Sequence, residues 1–317
     1  MPSPEPLADW FARHTLSSQD LDLGDLIARK RAADVSISLV LPARNEAETI
    51  RGVVESAMPL AGDLLDEIVV LDGGSTDGTP ELAAEAGATV YQDSQILTKF
   101  GPVLGKGDAL WRSLTVTSGD IVAFVDTDIR NPDPRFAWGI VAPLLLDDTI
   151  EFTKGFYVRP IEIDGVLHPT GGGRVTELTA RPLLNLFWPE LAGLVQPLSG
   201  EYAGRRSLLE RLPFFSGYAV EIGLLIDILD ARGVDAIAQV DVGRRVHRNQ
   251  DLPSLSRMSF AIIHAVMGRL SALQRAQFGE VLATSYTQVE RDERDRVTLR
   301  TREVVDTERP PIRSLPR

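Results

Sequence analysis

Between residues 35 and 125, short apolar runs alternate with segments of helical character, and this alternation constrains the fold more than any other feature of the sequence. The runs are rich in β-branched residues and short enough to be strands: 35–41, 67–71, 89–91 and 120–125. Helical segments are predicted between them at 45–56, 79–86 and 108–114. Alternating strands and helices predict a parallel, doubly wound α/β sheet over roughly residues 35–150. Ligands of such sheets bind beyond the carboxyl ends of the strands, where the candidate residues should therefore lie.

The second half of the sequence has a more helical pattern. Helices are predicted at 175–186, 217–231 and 258–276, with one strand at 236–242. Residues 286–317 are dense in charge and contain prolines, which predicts a solvated or partner-wrapping tail.

The composition argues against several classes of function. The 317 residues include 45 acidic and 33 basic side chains, and a net charge of −12 argues against non-specific nucleic-acid binding. The absence of cysteine excludes disulfides, a thiol nucleophile and a zinc–cysteine site. No apolar run is long enough for a membrane helix, and residues 1–20 lack the pattern of a signal peptide. These features predict a cytoplasmic protein without a membrane partner.

The triplet Asp126-Thr127-Asp128 directly follows the fourth apolar run. Two carboxylates at a strand end can turn toward one ligand, and hard oxygen atoms suit Mg²⁺ or Mn²⁺, which bridge diphosphate oxygens. The structural alternative is an Asp-rich turn that caps Asn131-Pro132.

Two further polar loops and a lysine accompany this triplet. The first run ends in Pro42–Glu46 (PARNE) and the second in Asp72–Gly78 (DGGSTDG), where glycines permit close approach of a ligand and Asp, Ser and Thr offer hydrogen bonds. Lys106, between two glycines, opens a helix and could meet a phosphate, although the pattern is not a P-loop. A turn with a helix cap would explain Asp72–Gly78 equally well.

In this order, P-x-x-N-E, D-x-G-S-x-D and D-x-D resemble the family-2-like A-type glycosyltransferases. Longer segments are similar to the family of glucosyl-3-phosphoglycerate synthases, which also contains mannosyl-3-phosphoglycerate synthases: 105–114, 170–181, 196–203, 217–225 and 247–249. The resemblance implies an A-type glycosyltransferase fold, that is, a Rossmann-like, mostly parallel sheet flanked by helices, with a helical C-terminal region. It also implies a homodimer and a retaining, metal-dependent hexosyl transfer from an NDP-sugar to 3-phosphoglycerate.

The resemblance also implies roles for individual residues. The nucleotide-sugar would contact Pro42, Ala43, Asn45, Glu46, Gly73, Gly74, Lys106, Asp126, Thr127, Leu198, Tyr218 and Glu221. The acceptor would contact Gly173, Arg174, Val175, Thr176 and Asn249. Asp128 and His247 would hold Mg²⁺ or Mn²⁺, and Asp128, Glu221 and Arg174 would be catalytic. One glycine of the pair 73–74 departs from the family, where a serine is often found.

These roles imply an organisation of the chain in four parts. They are a lead-in at 1–35, a nucleotide-sugar-binding α/β half at 36–150, an acceptor-binding and helical half of the same domain at 151–285, and the charged tail at 286–317. Glucose and mannose, and uridine and guanosine, remain open as donor groups.

Three other functions are compatible with parts of the sequence. A polyprenyl-phosphate sugar transferase shares the N-terminal motifs, but such enzymes usually have membrane anchors. A sugar nucleotidyltransferase should have a Gly-rich signature where Pro42–Glu46 stands. A non-catalytic sugar-nucleotide sensor would not need Asp126, Asp128, Lys106 and Arg174 together.

Overall fold

The fold is known from a computed structural model, which describes residues 4–159, 161–163, 166–168, 173–246, 251–291, 297–304 and 306–316. Its strands are β1 (Thr15–Ser17), β2 (Ile37–Ala43), β3 (Glu67–Asp72), β4 (Thr89–Gln92), β5 (Ile121–Phe124), β6 (Phe152–Val158), β7 (Ile161–Ile163), β8 (Val166–His168), β9 (Tyr202–Arg205), β10 (Phe214–Phe215), β11 (Ile237–Arg244), β12 (Ser285–Arg291), β13 (Val297–Glu303) and β14 (Glu308–Arg309).

The helices lie on both faces of the central sheet. They are α1 (Pro4–His14), α2 (Leu23–Ala33), α3 (Ile50–Ala57), α4 (Thr79–Glu85), α5 (Lys106–Ser113), α6 (Arg135–Leu146), α7 (Arg181–Phe187), α8 (Arg206–Leu209), α9 (Val220–Arg232) and α10 (Leu252–Ala272). A π-helical turn, Thr176–Ala180, leads directly into α7. In the parts of the chain that the structure describes, no helix is long and apolar enough to cross a membrane.

Eight strands form the central sheet in the order β1-β11-β6-β9-β5-β2-β3-β4. All neighbours pair in parallel except β9, which is antiparallel to both β5 and β6. The predicted mostly parallel, helix-flanked sheet is therefore confirmed, whereas the antiparallel strand was not predicted. The sheet joins residues of both halves of the chain in one layer.

Strand β2 shows why the central runs are apolar throughout. Leu39 and Leu41 pack into the hydrophobic cluster on one face of the sheet, and Val40 packs into the cluster on the other. A strand covered by helices on both faces has no solvent side, so its sequence does not alternate between apolar and polar residues.

One expected helix boundary is corrected, and two terminal segments contribute more to the domain than their sequence indicates. The helix expected from residue 45 begins at Ile50. Asn45 has a φ of 56°, which a right-handed helix does not allow, and the N–H groups of residues 46 and 47 bind the side chains of Thr79 and Asp77. Within residues 1–35, β1 extends the central sheet and Trp10 is buried, and the helix expected near residues 21–31 is α2. In the tail, expected to be solvated or to wrap a partner, Arg309 is buried against the domain.

Candidate active site

The carboxyl ends of β2 and β3 carry two loops that hydrogen bonds tie together. Gly73 N–H donates to the carbonyl of Ala43 at 2.8 Å, and Thr76 N–H donates to Asn45 Oδ1 at 3.0 Å. Asn45 adopts a φ of 56°, a conformation that asparagine tolerates better than most residues. Gly74 has a φ of 74° and open space where a Cβ would lie. Hydrogen bonds therefore join the loops Pro42–Glu46 and Asp72–Gly78 into one cradle.

Asp72 has an acceptor atom that the cradle does not use. Its carboxylate is fully buried, and Oδ2 accepts the N–H groups of Gly74 and Ser75 at 3.1 and 3.0 Å. Oδ1 has no hydrogen-bond partner in the described structure. A buried acceptor without a partner is costly, and a ligand with a donor group would satisfy it.

The Asp126-Thr127-Asp128 triplet begins just beyond β5, beside this cradle. Thr127 Oγ1 donates to the carbonyl of Pro42 at 2.8 Å, which joins the triplet to the first loop. The carboxylate of Asp126 packs directly on Gly200, where an added Cβ would lie 2.1 Å from Oδ2. Position 200 therefore requires glycine if Asp126 is to keep this place.

Arg245 connects both aspartates of the triplet. Its buried guanidinium pairs with Asp128 Oδ1 and lies 3.3 Å from Asp126 Oδ2. The same group reaches Glu201 Oε1 at 2.5 Å and the hydroxyl of Tyr157 at 2.8 Å. Buried charges need partners of this kind, and here one arginine fixes the relative positions of three carboxylates.

Lys106 connects the triplet to helix α9. Its Nζ lies 2.5 Å from Asp126 Oδ1 and 3.0 Å from Glu221 Oε1. Burial disfavours charge on both Lys106 and Asp126, but the ion pairs outweigh it, so the pKa of Lys106 is raised and the pKa of Asp126 is held well below its usual range. Both groups are therefore charged at neutral pH.

Lys154 lies beneath this cluster and is also buried. Its Nζ donates to the carbonyl of Ser199 and lies 4.6 Å from the centre of the Tyr202 ring. Burial is the main influence on this amine and lowers the pKa of Lys154 to about 8; repulsion from Lys106 acts in the same direction, and Glu221 opposes both.

The free energy of unfolding is expected to rise between about pH 8 and about pH 9.5, in part because of Lys154. In this window the unfolded lysine, with its ordinary pKa of 10.5, keeps a proton that the folded lysine has lost. The unfolded state binds more protons, so stability rises with pH, by about 1–2 kcal/mol from this residue. Urea unfolding of wild type and Lys154→Met at several pH values measures the difference in slope.

Lys99→Met is the matched control, because Lys99 is an exposed lysine outside the cluster. Its pH dependence should follow that of the wild type, and titrating groups that the variants share cancel in the comparison. Equal slopes for Lys154→Met and the wild type would contradict the lowered pKa.

The structure thus brings Lys106, Asp126 and Glu221 into contact. Leu198 is half-buried against the core and Tyr218 is exposed just before α9. Gly173, with a φ of 78°, leads into Arg174 in the first helical turn before the π-helical segment.

The structure describes only some of the residues expected to bind the acceptor. Val175 and Thr176 are buried at the start of the same helix, whose π-turn is a feature often found at functional sites. His247 and Asn249 fall outside the described residues.

Sequence reasoning missed Arg245, Glu201 and Lys154. Arg245 belongs to a basic stretch that predicts a local positive field, but nothing local indicates that it reaches two aspartates more than a hundred residues away. Glu201 lies within the 196–203 segment, from which only Leu198 was assigned a role. These contacts depend on β9 and β11 lying on the same side of β5, which the sequence pattern does not predict.

The carboxylates of this cluster are candidate ligands for a divalent cation. Among the described residues, no group of three or more His, Asp or Glu side chains comes together as a metal site. The cluster has four carboxylates and three cations: Asp126, Asp128, Glu201 and Glu221 against Lys106, Lys154 and Arg245. A negatively charged diphosphate therefore needs further positive charge here, and Asp128, which is 32% exposed, offers a hard oxygen ligand for it.

The sequence and the fold were compared with known proteins. Residues 38–137 match the model of glycosyl transferase family 2. A glucosyl-3-phosphoglycerate synthase of Petrotoga mobilis is 45% identical over 93% of this chain and 91% of its own length.

Two solved structures show the same fold. The mannosyl-3-phosphoglycerate synthase of Rubrobacter xylanophilus is 41% identical, covers 98% of each chain and has a TM-score of 0.90. The glucosyl-3-phosphoglycerate synthase of Mycobacterium tuberculosis, in complex with Mn²⁺, UDP-glucose and phosphoglyceric acid, is 46% identical, with 95% of this chain and 98% of that chain covered and a TM-score of 0.81.

Proposed function

The chain belongs to the family of glucosyl-3-phosphoglycerate synthases, and we propose that it transfers glucose from UDP-glucose to the 2-hydroxyl of 3-phosphoglycerate, giving glucosyl-3-phosphoglycerate and UDP. The observation that carries the proposal is the contact of Lys106 with both Asp126 and Glu221 at the carboxyl-end edge of the sheet. Lys106 thereby links Asp126, beside the nucleotide cradle, to α9, whose Glu221 would bind the sugar.

The donor is proposed to lie across the cradle and this cluster. The loops around Asn45 and Gly74 would receive the uridine, and Lys106 would meet the diphosphate. Glu221 would accept hydrogen bonds from sugar hydroxyls. Because Lys106 and Arg245 already neutralise Asp126, we infer that catalysis rests on positioning and on charge stabilisation rather than on a carboxylate nucleophile.

The metal dependence is part of the proposal. Asp128, with His247 as its expected companion, would hold Mg²⁺ or Mn²⁺, which supplies Lewis-acid stabilisation to the leaving diphosphate when bound. Arg245 holds Asp128 in place from the buried side.

The acceptor is proposed to bind at the start of the helix that contains Arg174. Glycine at 173 adopts a left-handed φ, which lets the chain turn into the helix and present the guanidinium in its first turn. A planar guanidinium forms paired hydrogen bonds with a phosphate or carboxylate, and the acceptor has both groups.

Transfer of mannose from GDP-mannose to the same acceptor is the second candidate. It is favoured by the TM-score of 0.90 with the mannosyl-3-phosphoglycerate synthase, against 0.81 for the glucosyl-3-phosphoglycerate synthase complex. Identity to the glucosyl relatives, 45% for the Petrotoga enzyme, favours glucose.

An activity screen tests the function directly. Purified protein is incubated with 3-phosphoglycerate, Mg²⁺ or Mn²⁺ and each of UDP-glucose, GDP-glucose, UDP-mannose and GDP-mannose, and the phosphorylated glycoside is identified by mass spectrometry. We expect the highest kcat/KM with UDP-glucose and no glycoside without acceptor. Failure of all four donors would refute the proposal, and a preference for GDP-mannose would establish the second candidate.

A homodimer and a cytoplasmic location remain part of the proposal. Support for a dimer comes from the resemblance and from the β12–β13 hairpin, which exposes Val289, Val297 and Leu299. Exposed apolar side chains on one hairpin are typical of a surface that another chain covers.

A further inference from the structure

Residues 306–310, hereafter the strap, run back across the domain after the β12–β13 hairpin. Ser216 N–H donates to the carbonyl of Thr307 at 2.8 Å, and Thr307 N–H donates to Ser216 Oγ at 3.0 Å. The next two residues of the strap form β14, which pairs with β10. The strap is therefore hydrogen-bonded to the segment that precedes α9.

Asp306 holds the residue that immediately precedes α9. Its Oδ2 accepts the N–H of Ala219 at 2.7 Å, two residues before Glu221. Gly217 approaches so closely that an added Cβ would lie 2.2 Å from Asp306 Oδ1. A carboxylate that accepts N–H groups at a helix start both satisfies them and complements the helix dipole. Asp306 thus fixes the N-cap residue of the helix that carries Glu221, although it lies far away in sequence.

Arg309, also in the strap, contacts α5, the helix that carries Lys106. Its guanidinium donates to Asp108 Oδ1 at 3.0 Å and Oδ2 at 2.5 Å, two residues after Lys106 on α5. The ring N–H of Trp111 donates to the carbonyl of Pro310 at 2.7 Å, which adds a second contact to α5. The strap therefore holds the two helices whose side chains, Lys106 and Glu221, meet at 3.0 Å.

The two helix starts have little room to move independently. Asp108 N–H donates to the carbonyl of Ser216 at 3.0 Å, and a Cβ added at Gly107 would lie 2.0 Å from the carbonyl oxygen of Phe215. The segment before α9 therefore packs directly on the start of α5, and a shift of this segment would change the distance between Glu221 and Lys106. Errors of about 1 Å in the position of a reacting group can cost on the order of 100-fold in rate.

We propose that Asp306 is a positioning residue for the donor-sugar pocket, acting through the Ala219 N–H to fix Glu221 against Lys106. This inference rests on the proposed glycosyl transfer. It assigns part of the active-site scaffold to a C-terminal segment that contains none of the residues expected to touch a substrate.

Asp306→Ala is expected to lower kcat about 10-fold, while the affinity for UDP, measured by calorimetry, changes less than about 2-fold, because the nucleoside cradle is formed by other loops. Asp306→Asn keeps an acceptor oxygen and should recover at least half of the lost kcat. Hydrogen exchange of the backbone amides at residues 219–221 should be faster in Asp306→Ala and close to wild type in Asp306→Asn.

Arg313→Ala is the matched control. Arg313 lies just beyond the strap, is more than half exposed and pairs with Glu210, so its replacement should leave kcat unchanged. A wild-type kcat in Asp306→Ala, or an equal loss of kcat and UDP affinity, would overturn the inference. A wild type that forms no glycoside would instead refute the proposed function, and the exchange measurement would still decide whether Asp306 holds the start of α9.

Discussion

Replacing Asp128 with asparagine is expected to lower kcat at least about 100-fold while the protein stays folded. A neutral amide is a poorer ligand for a hard divalent cation than a carboxylate. Loss of a metal's charge stabilisation removes several kcal/mol from the transition state, and about 2.7 kcal/mol corresponds to 100-fold. Initial rates at saturating donor and acceptor, with circular dichroism as the test of folding, measure the effect.

Two controls accompany this variant. Asp63→Asn makes the same chemical change at an exposed aspartate in the loop before β3. Asp63 pairs with Arg31, outside the candidate site, so this variant should keep full activity. EDTA should inactivate the wild type, and excess Mg²⁺ or Mn²⁺ should restore it. Full turnover of the wild type in EDTA would show that Asp128 has another role.

Removal of the Arg174 side chain is expected to lower kcat/KM for 3-phosphoglycerate by about 10- to 150-fold. This range corresponds to the roughly 1.5–3 kcal/mol that a hydrogen bond to a charged group contributes. Arg174→Lys should recover only part of the loss, because an ammonium lacks the planar fork of the guanidinium. Kinetics at varied acceptor concentration, together with UDP titration, separate the effect on the acceptor from the effect on the donor.

Arg211→Ala serves as the comparison, since Arg211 is an exposed arginine outside the candidate site. It should leave both kinetic constants unaltered. Unchanged acceptor kinetics in Arg174→Ala, or a UDP affinity that falls together with kcat/KM, would remove Arg174 from the acceptor site.

Strands that consist of one contiguous apolar run can be predicted from the sequence. The apolar runs that became β2, β3 and β5 are each covered on both faces, so their composition alone identifies them. The polar loops that follow them lie at one edge, because parallel strands place their carboxyl ends together. That rule places Asp72–Gly78 and Pro42–Glu46 at the same edge of the sheet from the sequence alone.

The rest depends on contacts between distant parts of the chain. Strand β9 has only four residues and no distinctive apolar run, and its antiparallel pairing brings Glu201 toward Arg245. The strap contains charged residues that look solvated in sequence, yet Arg309 is buried because Asp108 on α5 offers a matching carboxylate. Such pairings arise from tertiary structure and leave no periodic signal in the sequence.

The position of β9 also governs the order in which the sheet can assemble during synthesis. Strands β2, β3, β4 and β5 can pair as soon as they leave the ribosome, but β5 and β6 stay apart until β9 is available to bridge them. Strand β1 is made first and pairs with β11, so it waits longest for its neighbour. Contacts between distant segments slow folding and leave strand edges exposed on nascent chains. We therefore expect the nascent chain to need protection by chaperones until residues 237–244 have been synthesised.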